Sequence, residues 1–269
     1  MCDFAASFLG GHSSSAPRNV LSAVRAWHIV NGVAYQGSES ARLTYVLRGI
    51  ERAHPASSHR PARSPVTHSM LALLVRKLNP TDTFDAAVLA CALCAMYGQC
   101  RLGELLPPAE KIWDITLIPS VNSLLPSSTP AGSRVLVLPF TKTTGSKGAK
   151  VVLCQQSAFC DPIACLESHL EVNKLGPAHP LFGYRTPRGV LCLTKKSFMK
   201  RCAAIWAEME GPSVTGHSFR IGGTTELLLK GVPLDVVKMM GHWKSDAFLR
   251  YWRSVESIAT MHAEFLDLR

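Results

Sequence analysis

The sequence lacks an apolar run long enough to cross a membrane. Its longest charge-free apolar stretch, residues 86–100, is shorter than the ~20 residues that a spanning helix needs. It also lacks a basic start followed by an apolar segment, and Asp3 lies among its first residues. We therefore expect no membrane partner and no secretory signal, and we place the chain in a reducing, intracellular compartment.

The sequence also lacks the cysteine spacing of a zinc site. Cys91 and Cys94 form one close pair, but no second close pair completes a set of four ligands. Both residues lie with Cys100 in or just after an apolar helical stretch, where cysteine behaves as a small hydrophobic residue. We therefore expect free thiols and no metal.

Acidic residues are in the minority. The chain has 19 Asp and Glu against 29 Lys and Arg, which gives a formal net charge of +10. This excess is compatible with a polyanionic partner such as nucleic acid, or with a merely basic surface. The hydrophobic fraction of 47% and charged fraction of 18% fit a globular protein with a substantial core.

The first part of the chain reads as a small helical domain followed by a linker. Residues 1–17 are rich in Ser, Gly and Ala and predict a loose terminus, and residues 19–29 and 41–53 have helical apolar periodicity. The segment 54–65, HPASSHRPARSP, is a Pro-, Ser- and Arg-rich linker. The predicted organisation is therefore a partial domain over residues 1–53, the linker, and a second domain over residues 66–269.

The second domain is predicted to be mainly α-helical with a small antiparallel β-sheet, an α+β fold. Residues 84–98 are apolar on nearly every side and predict a buried central helix. Residues 134–140 and 150–154 predict a β-hairpin with a long loop, and residues 112–118 alternate as a further strand would. Further helices are predicted over residues 69–78, 162–175, 193–210, 217–229, 234–240 and 245–251.

The stretch TGHSFRIGG places His217 and Arg220 three residues apart, on one face of a helix. A buried arginine needs an anion, and a helix N-terminus also favours one, so a phosphate would satisfy both. The alternative is a surface histidine beside an arginine that pairs with a carboxylate.

Two further basic residues allow similar alternatives. Arg101 follows the most hydrophobic helix, with Glu104 three residues later. It either points at a ligand or forms a structural ion pair. Lys142 begins the loop of the predicted hairpin, where it is either solvated or able to donate a proton to a leaving oxygen.

The end of the second domain adds a histidine and a tyrosine. His242 and Trp243 open a turn between two short predicted helices, and Tyr251 follows nine residues after His242. A tyrosine on an amphipathic helix most often belongs to the core.

The order of these residues along the chain resembles the signature of the tyrosine recombinase/integrase family. That signature is an arginine, a lysine, an H-x-x-R pair, a histidine and a tyrosine. The resemblance covers about residues 65–260 and is carried by GHSFRIGGTTELLLKGVPLDVVKMMGHW followed by Tyr251. It is to the phage-integrase-like catalytic domain of the Cre and Xer type, whose fold type IB topoisomerases share. RPARSPVTHSMLALL and FDAAVLACALCAMYGQCRLGELL are most similar to recombinases of eukaryotic mobile elements, of the Crypton or DIRS kind.

The resemblance implies a site-specific DNA recombinase or integrase, in the nucleus of a eukaryotic host. Tyr251 would attack a phosphate of double-stranded DNA and form a 3′-phosphotyrosyl intermediate. Arg101 and Arg220 would bind the non-bridging oxygens, Lys142 would be the general acid, and His217 would act as acid, base or phosphate donor. No metal, nucleotide or other cofactor is implied, because the covalent bond conserves the energy of the cleaved phosphodiester.

The resemblance assigns supporting roles to other residues. His242 would hydrogen-bond the phosphate, and Glu104 would fix the positions of Arg101 and His217. Lys147, Lys150 and Trp243 would contact DNA, and the two lysines are alternatives for the general acid.

The chain departs from the family pattern at its N-terminus. Only about 65 residues lead to the end of the linker, and residues 1–53 resemble the last helices of a core-binding (SAM-like) domain. The DNA clamp that the family forms with this domain is therefore expected to be incomplete. Two alternatives follow: a degenerate DNA-binding protein of the same fold, or relaxation of DNA as by a type IB topoisomerase. The amphipathic segment 252–269 either docks on a neighbouring protomer, giving a dimer to tetramer on DNA, or packs on its own core.

Overall fold

The computed structural model describes residues 1–13, 15–35, 40–53, 63–111, 113–156, 160–209, 213–243 and 245–251, with Ala247, Arg250 and Tyr251 described by their backbone only. The chain divides into two compact units, Met1–Ala62 and Arg63–Arg269. The predicted assignment of the first unit to a core-binding domain stays a prediction.

The first unit contains helices α1 (Cys2–Ala6), α2 (Ala16–Val30) and α3 (Ala41–Arg52). Their buried core consists of Ala5, Leu21, Leu43 and Ile50. The prediction of a loose terminus over residues 1–17 is wrong, because the short α1 buries Ala5 completely and packs on α3. Pro17, the last residue of this predicted terminus, lies in the first turn of α2, where its missing N–H has no helical partner to lose.

The second unit is built around one buried helix. Its helices are α4 (His68–Lys77), α5 (Thr83–Tyr97), α6 (Leu102–Leu105), α7 (Pro162–Asn173), α8 (Lys195–Trp206), α9 (Gly216–Leu229) and α10 (Leu234–Met240). The predicted central helix is confirmed as α5, which packs against α7 on one side and α9 on another. The Asp82 carboxylate begins α5 by accepting hydrogen bonds from the N–H groups of Phe84 and Asp85, at 3.1 and 2.8 Å.

Two antiparallel hairpins flank these helices. Strand β1 (Arg134–Leu138) pairs with β2 (Ala149–Leu153), which confirms the predicted hairpin, and β3 (Gly183–Thr186) pairs with β4 (Gly189–Cys192). The second hairpin was not predicted, since four residues per strand are too few for a period-2 pattern to stand out. The β1–β2 hairpin extends from the core, where Leu136 and Val151 lie opposite each other and are buried.

The predicted strand over residues 112–118 is wrong. Residues 115–117 form a turn instead. The carboxylate of Asp114 accepts hydrogen bonds from both the N–H and the hydroxyl of Thr116, at 2.8 and 2.7 Å. This local bonding gives the backbone an alternative to strand pairing, which the alternation of apolar residues does not reveal.

The C-terminal part of the second unit confirms α9 and α10, but the next element, Asp246–Tyr251, is a 3₁₀-helix. It packs on α9 and α10 through Leu228, Val237 and Phe248. The predicted linker, apart from residues 63–65, and the segment 252–269 lie outside the described residues. Within the described ranges, no helix combines the length and the apolar character needed to cross a membrane.

Candidate functional site

The site begins where the chain leaves α5. Gly98 caps the helix, Gln99 takes a left-handed conformation with φ of 49°, and Arg101 becomes the N-cap of α6. The guanidinium of Arg101 bonds the carboxylate of Glu104 at 2.7 Å, and the Arg101 backbone N–H donates to the same carboxylate at 3.0 Å. Glu104 is buried, so this pair holds Arg101 in one orientation while leaving 27% of its side chain exposed.

Two glycines allow α9 to lie directly on this segment. A Cβ on Gly222 would overlap the carbonyl oxygen of Val66, and a Cβ on Gly223 would overlap that of Met96 near the end of α5. The pair in RIGG is therefore explained by close approach of two backbones. This approach brings Arg220, on the same helix, against Gln99.

Arg220 is fixed from three sides. Its Nη1 donates to the carbonyl of Gln99 and its Nη2 to the carbonyl of Gly241, each at 2.5 Å. The ring of Trp243 covers the guanidinium, with 3.9 Å between Cζ and the ring centroid. The side chain is 2% exposed. An arginine held in this way presents its charge in a fixed position.

His217 lies in the first turn of α9 in a strongly positive environment. Burial, and after it the positive charges of Arg220, Arg63 and Arg101, together lower the pKa of its imidazole to about 4. The imidazole is therefore neutral at physiological pH. The H-x-x-R pair is thus a half-buried, neutral histidine beside a buried arginine whose guanidinium donates to backbone carbonyls.

His242 joins the same site from the turn after α10. Its backbone is left-handed, with φ of 52°, and its Nε2 lies 3.0 Å from the carbonyl oxygen of Lys150 on β2. Arg101, Glu104, Arg220 and His242 all line one cavity of about 10 Å³, close to the volume that one water molecule needs. A larger anion would enter only if the lining side chains move.

Lys142 lies between two residues that line this cavity, Thr141 and Thr143. The hydroxyl of buried Thr141 bonds those of Thr143 and Thr144, at 3.2 and 2.6 Å, which folds the loop tightly. Lys142 itself is exposed, and it makes no hydrogen bond or ion pair within the described ranges. The side chain is therefore available to a ligand.

The side chains of Lys147 and Lys150 are exposed on the same hairpin, as a role in contacting DNA requires. Tyr251 ends the 3₁₀-helix that packs on α9, and only its backbone is described. The roles assigned to these three residues stay predictions, as do the roles of Arg101, Lys142, His217, Arg220, His242, Glu104 and Trp243.

Sequence reasoning missed three features of this site. Arg63 acts on His217 although its segment was read as linker. Gln99 supplies a carbonyl to Arg220, and Trp243, predicted to contact DNA, lies against that arginine. The left-handed backbone of Gln99 has no signal in the sequence. Within the described ranges, no three His, Cys, Asp or Glu side chains are grouped so as to hold a metal ion.

Comparison with known proteins finds similarity in solved structures. The chain superimposes on the XerH site-specific recombinase bound to palindromic difH substrate with a TM-score of 0.61 at 14% sequence identity, covering 100% of this chain and 71% of that one. For the Tn1549 transposon integrase in complex with circular intermediate DNA, the TM-score is 0.50 at 12% identity, covering 97% and 83%. No protein-family model matches the chain. No curated protein matches it.

These likenesses confirm the predicted fold, that of the tyrosine recombinases. At such low identity they show the fold alone. The finer similarity to recombinases of the Crypton or DIRS kind stays a prediction.

Proposed function

We propose that this chain, which has the tyrosine recombinase fold, breaks and rejoins double-stranded DNA through a 3′-phosphotyrosyl intermediate at Tyr251. The observation that carries the proposal is the fixed pair Arg101 and Arg220, lining one cavity with neutral His217 nearby. Glu104 also lines this cavity, but its charge is offset by Arg101. The net charge of the cavity region therefore favours an anion.

The arginines suit a phosphodiester that is being attacked. When the tyrosine oxygen adds to phosphorus, negative charge grows on the two non-bridging oxygens. Donors that are already oriented stabilise this charge without having to reorganise, and removing one such donor typically costs about 10²–10³ in rate. Arg220, with its guanidinium held by two carbonyls and an aromatic ring, meets that requirement.

The proton transfers follow from the charge states. Tyr251 loses its proton to neutral His217 as the bond from its oxygen to phosphorus forms. The pKa of that imidazole is low because arginines surround it, and a bound phosphate offsets their charge and raises the pKa toward the range useful for proton transfer. The bond from phosphorus to the 5′-oxygen breaks, and Lys142 gives this oxygen a proton. Rejoining runs the same steps in reverse, with the 5′-hydroxyl as nucleophile.

The proposal is tested by trapping the covalent intermediate. Purified protein is mixed with a pool of duplexes from sequence around its own gene, in which a 5′-bridging sulfur replaces the leaving oxygen. The 5′-thiolate leaves readily and rejoins poorly, so the adduct accumulates. We expect a protein–DNA band on a denaturing gel with the native chain and none with Tyr251→Phe.

Tyr184→Phe is the matched control, because its ring packs on Phe84 at 5.1 Å between centroids and loses only a hydroxyl. The outcome of rejoining is then measured on ordinary DNA that carries the cleaved sequence. Exchange of strands between two duplexes supports a recombinase, and relaxation of a supercoiled plasmid without exchange supports the topoisomerase-like alternative. Binding without any adduct supports the degenerate DNA-binding protein and contradicts the proposal.

A further inference from the structure

We infer that Gln99 is an additional catalytic residue, whose side-chain amide donates a hydrogen bond to an oxygen of the phosphate bound between Arg101 and Arg220. This inference rests on the proposed function and names a donor in the same site. Four observations carry it: the backbone conformation of Gln99, its burial, the anchoring of its amide oxygen, and the state of its amide nitrogen.

The backbone of Gln99 is in a conformation that glycine adopts more readily. Its φ of 49° lies in the left-handed region, where a side chain meets the neighbouring carbonyl. Residues in such conformations persist where the surrounding structure holds them, and they cluster at functional sites. The side chain at this position therefore raises the question of what it does there.

The amide oxygen of Gln99 is anchored. Gln99 is 1% exposed, and its Oε1 accepts a hydrogen bond from the hydroxyl of Thr224 at 2.7 Å. Thr224 is fully buried and lies one turn after Arg220 on α9. The orientation of the amide is thus tied to the helix that carries this arginine.

The amide nitrogen of Gln99 is buried and finds no hydrogen-bond partner within the described residues. Leaving a buried donor unsatisfied is unfavourable, so such groups in folded proteins call for an explanation. Gln99 lines the same cavity as Arg101 and Arg220. A phosphate oxygen that enters between the arginines would supply the missing acceptor.

Glycine at this position separates the proposed role from a structural one. The carbonyl that accepts from Arg220 belongs to the backbone, so Gln99→Gly keeps it while removing the amide and relieving the left-handed strain. Gln99→Glu keeps the shape and the acceptor to Thr224, but replaces the donor by a charge of the wrong sign. Gln99→Met keeps the volume and removes both polar atoms.

The experiment measures the rate of adduct formation on the sulfur-substituted duplex that the native chain cleaves. Binding to the same duplex and the thermal midpoint are measured in parallel, and Gln155→Met on the exposed surface is the matched control. We expect the rate to fall about 10²-fold in Gln99→Gly and Gln99→Met, and further in Gln99→Glu. The Kd should stay within about threefold, and the Tm of Gln99→Gly within about 4 °C of native.

Any folded variant that forms the adduct within about threefold of the native rate overturns the inference, since none of the three has the donor. If only Gln99→Gly folds, that variant decides. Failure of all three to fold would assign the side chain to folding and also overturn it. A native chain that forms no adduct contradicts the proposed function instead, so the two failures are distinguishable.

Discussion

At the residue scale, the site depends on cations and a neutral imidazole that are held by neighbouring side chains and backbone carbonyls. Arg101 is held by Glu104, Arg220 by the carbonyls of Gln99 and Gly241, and His217 is kept neutral by burial and by neighbouring arginines. Each of these arrangements fixes a charge state as well as a position. Changing one residue should therefore alter a measurable charge or rate.

The titration of His217 gives the first expectation. Its pKa is about 4 in the folded chain against 6.5 for an ordinary histidine, so between these values the unfolded state binds the extra proton. The free energy of unfolding should then decrease as the pH falls from 6.5 to 4. Over this range the His217→Gln variant should lose about 1–2 kcal/mol less of this free energy than the native chain, a figure reduced to allow for solvent screening.

Urea unfolding at pH 7.0, 5.5 and 4.5 measures this difference. His169, whose pKa burial also lowers to about 4, leaves a remaining pH dependence in both chains. An exposed position that does not titrate serves as control, because Gln155→Met should leave the pH dependence unchanged. An identical loss of stability in native and His217→Gln chains would show that the imidazole is not held neutral.

Lys142 gives the second expectation, because a general acid matters only when the leaving atom needs a proton. Lys142→Ala should slow cleavage of ordinary DNA by about 10²–10⁴-fold and cleavage of the sulfur-substituted duplex by less than about tenfold. Lys147→Ala and Lys150→Ala, on the same hairpin, are the matched controls. If Lys142→Ala slows cleavage of both substrates equally, Lys142 is not the general acid. If the sulfur substitution instead restores cleavage by Lys147→Ala or Lys150→Ala, that lysine is the general acid.

At the element scale, the packing of α9 on α5 forms the site. The apolar character of residues 84–98 was enough to predict α5, and the helix predicted over residues 193–210 corresponds to α8. The close approach of α9 was less predictable, since glycine in a helix usually weakens it and the compensating contact is made with a distant backbone. The backbone contacts of Gly222 and Gly223 supply that reason.

The third expectation concerns this contact. Gly223→Ala should destabilise the chain by at least about 2 kcal/mol, because its methyl group overlaps the Met96 carbonyl and backbone cannot yield as a side chain can. Gly103→Ala on α6 is the matched control: nothing lies within 4 Å of its Cβ, and it should be neutral or stabilising by up to about 1 kcal/mol. Equal denaturant midpoints for the two variants would contradict the packing.

At the scale of the whole molecule, the fold was predictable and the site only in part. The order of arginine, lysine, H-x-x-R, histidine and tyrosine pointed to the fold that the structural comparisons confirm. The sequence could not show that Trp243 lies on Arg220, or that Gln99 turns left-handed beside it, because both depend on how distant segments meet. Because residues 54–65 were predicted to be a linker, the influence of Arg63 on His217 was not predicted either.

The net charge of +10 gives an expectation for the whole molecule. If phosphate contacts dominate binding to DNA, affinity should fall about 100-fold between 50 and 200 mM salt, the change that about four neutralised phosphates produce. Fluorescence anisotropy with a labelled duplex measures this slope. A binding constant that does not change with salt would count against any role on DNA.

The central claim is tested most directly by identifying the amino acid that carries the DNA. The trapped adduct would be digested with nuclease and protease, and the nucleotide-bearing peptide sequenced by mass spectrometry. Among the five tyrosines of the chain, we expect a 3′-linked nucleotide on Tyr251 alone. A nucleotide on any other residue, or attached through its 5′-phosphate, would contradict the proposed chemistry.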